Sequence, residues 1–177
     1  MPNWCDNKVT LRHANLEMIT RAADAFENGT FLDEFIPAPK ELKDFTVKTV
    51  QQGTPEYADY ELQQKSNIEK YGYADWYAFR VNEWGVKWDI SSDDVDCELN
   101  KEDNSLTAWF QSAWSPPIEA YHNLIELGFD ITAYYYEPGV GFCGSFEVEY
   151  NTEYDVEDAP SDIDDIFGIS ESLVDDD

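Results

Sequence analysis

The spacing of apolar residues along this chain changes period several times, and each change marks an element. Asn7–Arg12 alternates polar and apolar, with Val9 and Leu11 on one side, and predicts a strand. Asn15 is a capping residue, and after it Leu16, Ile19, Ala23 and Phe26 recur at helical spacing until Asn28-Gly29. Glu17 and Arg21 are one helical turn apart and are expected to pair. Phe31–Phe35 reads as a short extended piece, closed by Pro37 and Pro39. Residues 43–56 read as a loop. From Glu56 to Glu83 the pattern is helical, broken near Tyr71-Gly72-Tyr73, with Leu62, Ile68 and Tyr71 seating the first part and Trp76, Phe79 and Val81 the second. This stretch is polar enough to be an insertion lying on the domain.

The chain turns at Trp76–Ile90, which holds three of the six tryptophans, with Gly85 as the helix stop. Beyond it the period becomes two. Lys87–Ser91 is expected to begin a strand that continues to Leu99, and Lys101–Asn104 turns into a strand over Ser105–Trp114. There Leu106, Ala108, Phe110 and Ser112 share one face and Trp109 takes the other. Pro116-Pro117 opens a helix whose Ile118, Tyr121, His122 and Ile125 face the core, and Gly128 closes it. Phe129–Tyr136 and Phe142–Tyr150 are strands joined by the loop 137–141, the second with an apolar and an acidic face. The order strand, helix, strand, strand, helix, strand is the split βαβ, or ferredoxin-like, plan of the α+β class: an antiparallel sheet with two helices on one face. To it are added the helical insertion at about 43–84 and an extra C-terminal strand. The domain spans 1–151. Residues 152–177 hold 11 acids and no base and are expected to be disordered, with Ile163, Ile166, Phe167, Ile169 and Leu173 able to form a short docking helix.

Charge decides which partners suit this plan. The net charge is −27. Of the 38 acidic residues 19 lie beyond residue 101, where there is no Lys or Arg, so that segment carries −19 and the first 101 residues −8. Such a field repels nucleic acid and anionic membranes and attracts basic surfaces. The acidic strand face and tail are therefore the expected partner-binding surface: Glu137, Glu147, Glu149, Glu153, Asp155, Glu157, Asp158, Asp162, Asp164 and Asp165. No run of 18 apolar residues and no secretory leader is visible. Cys5, Cys97 and Cys143 are odd in number and far apart, which suits free thiols in a reducing cytoplasm.

Four blocks carry a family resemblance: Met1-Pro2-Asn3-Trp4-Cys5, Trp84-Gly85-Val86-Lys87-Trp88-Asp89, Ser112-Ala113-Trp114-Ser115-Pro116-Pro117 and the run from Tyr135 to Gly144. Over residues 1–150 the chain resembles the YubB-type ferredoxin-like domain family of plasmid and phage proteins. The resemblance implies the fold and a mobile-element origin. It carries over no catalytic residue.

The remaining candidates weigh towards structure. Trp4, Trp84, Trp88, Trp109 and Trp114 could stack bases, but the overall charge has the wrong sign, so they are expected in the core. His13 and His122 lack a nucleophile pattern. The loop Pro138-Gly139-Val140-Gly141 is bounded by strands and reads as a hairpin, since a phosphate loop needs a following helix. The expectation is a non-enzymatic acidic binding protein without cofactor or metal, acting on a basic host or nucleic-acid-handling protein with carboxylates standing in for phosphates. Two alternatives remain: a metal-assisted hydrolase using the Asp93–Asp96 cluster, and an accessory protein whose acidity serves solubility.

Overall fold

β1 (Trp4–Arg12) is the strand on which the sheet is built. In the computed structural model, which describes residues 3–148 and 150–174, it pairs antiparallel with β3 (Ser105–Ala113) on one side and β4 (Asp130–Glu137) on the other. Val9 stands between Ala108 and Ala133, and Leu11 between Leu106 and Ile131, so one face of three adjacent strands is apolar at every second position. β2 (Asp96–Asn100) flanks β3, while β5 (Phe142–Glu147) and β6 (Tyr150–Asp155) extend the sheet past β4. The order β2-β3-β1-β4-β5-β6 is antiparallel throughout.

Two helices cover the apolar face. α1 (Leu16–Glu27) is capped by the Asn15 side chain and buries Ile19, Ala22, Ala23, Ala25 and Phe26. Phe26 stacks on Phe31 at 3.9 Å, and full burial of such a ring is worth about 1.5–3 kcal/mol. Four helices follow α1 before the sheet resumes: α2 (Phe31–Phe35), α3 (Lys40–Asp44), α4 (Pro55–Tyr71) and α5 (Trp76–Glu83). α6 (Ile118–Glu126) is the second covering helix and buries Ala120, Tyr121 and Leu124. The β1-α1-β2-β3-α6-β4 core, with β1 between β3 and β4, is the ferredoxin-like arrangement of the α+β class.

Several expectations give way to tertiary contacts. Phe31–Phe35 is helical because the Asp89 carboxylate, from a distant segment, accepts the free N–H groups of Leu32 and Asp33 at 2.8 and 2.9 Å. With Asp89 committed there, Lys87–Ser91 crosses the domain as irregular chain rather than as a strand. Lys40–Asp44, expected in part as loop, forms a helical turn. Arg21 reaches Glu34 on α2 instead of Glu17. Leu62 and Ile68 on α4 are exposed, and that helix buries only Asn67, whose amide donates to the Ala74 carbonyl at 2.8 Å. His122 is exposed rather than in the core, its ring edge-on to Phe146.

The C-terminal part departs most from expectation. The strand read as Phe142–Tyr150 ends at Glu147, and Val148 takes a left-handed backbone with φ +50°. The chain reverses, so β6 pairs with β5, and from Thr152 onward it lies in the segment read as a disordered tail. A single 3-10 turn (Val156–Asp158), α7 (Ser161–Phe167) and α8 (Ile169–Val174) complete the described chain. Ile163 and Ile169 are buried with Tyr136 and Cys143 in a second small core on the sheet face opposite α1 and α6. The segment has few apolar residues, but Ile163, Phe167 and Ile169 meet a face already seeded with tyrosine. Residues 175–177 lie outside the described residues.

Candidate functional site

The β4–β5 hairpin shows why acidic residues cannot be read as a uniform surface. Glu137 is fully buried, and its carboxylate accepts the Gly139 and Val140 N–H groups at 2.9 and 2.6 Å, which fixes the hairpin loop. A side chain at Gly144 would overlap the Thr152 carbonyl and the Tyr135 hydroxyl, so β6 can lie against β5 only over a glycine. These two residues belong to the scaffold, and Glu137 is corrected from partner-binding to structural. Asp164 also serves the fold: its carboxylate accepts the Ser170 N–H at 2.7 Å, a bond that holds its pKa below the ordinary carboxylate range.

The other predicted carboxylates occupy one end of the molecule. Glu147 is exposed on the face that α7 shares, accepts the Tyr134 hydroxyl at 2.8 Å, and by that bond pushes the phenol up to about 12, with burial and the charge of Asp162 adding to it. Glu153 and Asp155 lie on β6, the outermost strand, and Glu157 and Asp158 on the turn after it; all four are exposed. Asp162 and Asp165 are exposed on α7. Glu149 lies outside the described residues. Among the described residues every ion pair joins partners between Arg21 and Lys70, for example Lys43 with Asp33 and Lys70 with Glu41. No described carboxylate from Glu102 onward has a basic partner. The exposed acids of β6, its following turn and α7 therefore keep their full field.

Asp93, Asp94 and Asp96 do not form the metal cluster of the hydrolase alternative. The Asp93 carboxylate accepts the Ser91 hydroxyl at 3.2 Å, and Asp96 is drawn into β2. Among the described residues no three His, Cys, Asp or Glu side chains are placed to hold a metal ion. No described helix is long and apolar enough to cross a membrane.

A second surface forms at the tryptophan-rich turn, whose rings the sequence places in the core. α5 is capped by Asp75, whose carboxylate accepts the Ala78 N–H, and just beyond its end Gly85 takes φ +79°. A β-carbon at Gly85 would sit 3.3 Å from the Ile118 and Glu119 nitrogens, so glycine lets this corner touch the start of α6. Trp84 is fully buried and donates its indole N–H to the Ile36 carbonyl at 2.9 Å. The expectation of core packing holds for Trp84 alone among the five tryptophans. Trp4, Trp88 and Trp114 are 42%, 40% and 48% exposed, and Tyr77 is 49% exposed. Trp109 is exposed on the other sheet face beneath Lys8. At the corner Lys87 lies 3.9 Å from the Trp88 ring centre and 5.9 Å from that of Trp114. Arg80 lies 4.6 Å from the Trp84 ring centre and 5.2 Å from that of Trp76. Among the described residues neither cation pairs with a carboxylate. The sequence signal was the Trp76–Arg80 spacing of one helical turn; the convergence of Trp4 and Trp114 on it comes from the sheet.

Sheet order and helix placement define a ferredoxin-like protein with two extra strands. Residues 83–174 match the family model described as the ferredoxin-like domain in Api92-like protein, and the chain belongs to that family. The match carries neither the YubB-type name nor a plasmid or phage origin. A crystal structure of a protein api92 from Yersinia pseudotuberculosis is similar at 12% identity, with a TM-score of 0.42 over 90% of this chain and 100% of that one. No curated protein matches.

Proposed function

We propose that this chain is a non-enzymatic binding protein whose acidic C-terminal edge engages a basic partner. The observation that carries the reading is the confinement of all described ion pairs to residues 21–70, which leaves Glu147, Glu153, Asp155, Glu157, Asp158, Asp162 and Asp165 without a basic partner among the described residues. Exposed carboxylates on an outermost strand and the turn beyond it steer a cationic surface over a Debye length of about 10 Å and speed encounter more than they tighten contact. The partner class that fits is a protein with a groove built for nucleic acid, for which carboxylates stand in for phosphates. A cytoplasmic setting, suggested by the three free cysteines, and a mobile-element origin, implied by the sequence resemblance, belong to the same reading.

The test is capture from a host lysate at low and high salt, run beside a variant carrying Glu153→Gln, Asp155→Asn, Glu157→Gln and Asp158→Asn. The expected result is a basic, nucleic-acid-handling protein retained at low salt and lost both at high salt and with the variant. Retention by the variant equal to that of the native chain contradicts the proposal.

A further inference from the structure

We propose that the aromatic corner is a binding site for a small planar anion of the nucleotide type, an aromatic base carrying a phosphate. An open pocket of about 480 Å³ lies there, lined by Tyr77, Val81, Lys87, Trp114 and Ser115. Its volume falls in the range of small-molecule sites, about 300–1,000 Å³. Aromatic planes and a cation are the two things such a ligand requires. Tyr77 and Trp114 are half exposed and offer surfaces on which a base can stack. Lys87 sits between Trp88 and Trp114 and supplies the charge for a phosphate.

Three observations separate this corner from an ordinary surface. Lys87 has no carboxylate partner among the described residues and lies within reach of two indole rings, those of Trp88 and Trp114. Arg80, which lines the neighbouring pocket with Lys43, Trp76 and Trp88, donates to the Lys87 carbonyl at 3.3 Å and so ties down the backbone of the lysine that faces the site. Trp114 holds a left-handed backbone with φ +73°, a conformation that costs a bulky residue and persists only where its surroundings impose it. Its N–H donates to the Asn3 carbonyl at 3.0 Å, and the turn presents the indole to solvent where glycine would close the same turn without strain. The overall −27 field disfavours a long polyphosphate backbone, so a single nucleotide or the end of a single strand is the occupant that fits.

The experiment is isothermal titration calorimetry of the full chain with four probes: AMP, adenosine, ribose 5-phosphate and a short 5′-phosphorylated single-stranded oligonucleotide. Native chain, Lys87→Gln and Trp114→Gly are compared, with circular dichroism as the check on folding. AMP is expected to bind at least tenfold more tightly than adenosine or ribose 5-phosphate. Each substitution is expected to weaken AMP at least tenfold while the fold is retained, and Trp114→Phe to restore part of the loss. Binding of the oligonucleotide in preference to AMP, with the same dependence on Lys87 and Trp114, assigns the site to a strand end. The proposal is overturned if neither AMP nor the oligonucleotide binds, or if binding is unchanged in both variants. Trp114→Gly unfolding leaves Lys87→Gln to decide.

Discussion

Glu137 shows how one buried carboxylate can organise a loop. It receives two backbone N–H groups, and replacing it by alanine leaves both donors unpaired in a dry site. Glu137→Ala is expected to lower stability by about 2–4 kcal/mol, read as a shift of the urea midpoint at unchanged slope. Gln at the same position keeps one acceptor oxygen and is expected to recover part of that loss. The buried thiols and phenols make a pH prediction of definite sign. Burial, with smaller contributions from Glu27 and Asp96, pushes Cys97 up to about 11, and burial raises Cys5, Tyr121 and Tyr135 well above their ordinary ranges. The folded chain keeps these protons while the unfolded chain releases its thiol protons from about pH 9. Stability is therefore complete below that pH and falls as pH rises from about 9 to 11. Urea midpoints across that window are expected to fall, and to fall less steeply in Cys5→Ala. At this scale the sequence was informative about Asn15 and Gly85, whose roles are local, and silent about Glu137 and Asp89, whose partners come from the fold.

At the scale of elements, β1 has the most consequential place. It lies between β3 and β4, so residues 83–174, although matched as one family domain, contain a sheet with its middle strand missing. A fragment of those residues is expected to give no cooperative urea transition, and addition of β1 and α1 is expected to restore one. The alternating and helical periods of β1, α1, β3, α6 and β4 were legible because each has one wet and one dry face. The added elements were not. α2 depends on a carboxylate 57 residues away in sequence. β6 and α7 are too acidic for a hydrophobic pattern to stand out, yet a few isoleucines suffice once a tyrosine-bearing sheet face is there to receive them.

The whole molecule divides its charge. The bases of residues 21–70 are spent on neighbouring acids, two cations at the corner face tryptophans, and the C-terminal carboxylates are left without basic partners among the described residues. Total charge was readable from the sequence, but which acids stay free depends on strand order and on the backbone groups that claim Glu137 and Asp164. The most direct measurement of the proposal that these carboxylates replace phosphates is a displacement titration: the captured partner is loaded with double-stranded DNA, and the native chain is added. The account predicts stoichiometric release of DNA, weakened by added salt and abolished when Glu153, Asp155, Glu157 and Asp158 are neutralised together. A stable ternary complex of partner, DNA and this chain would contradict it.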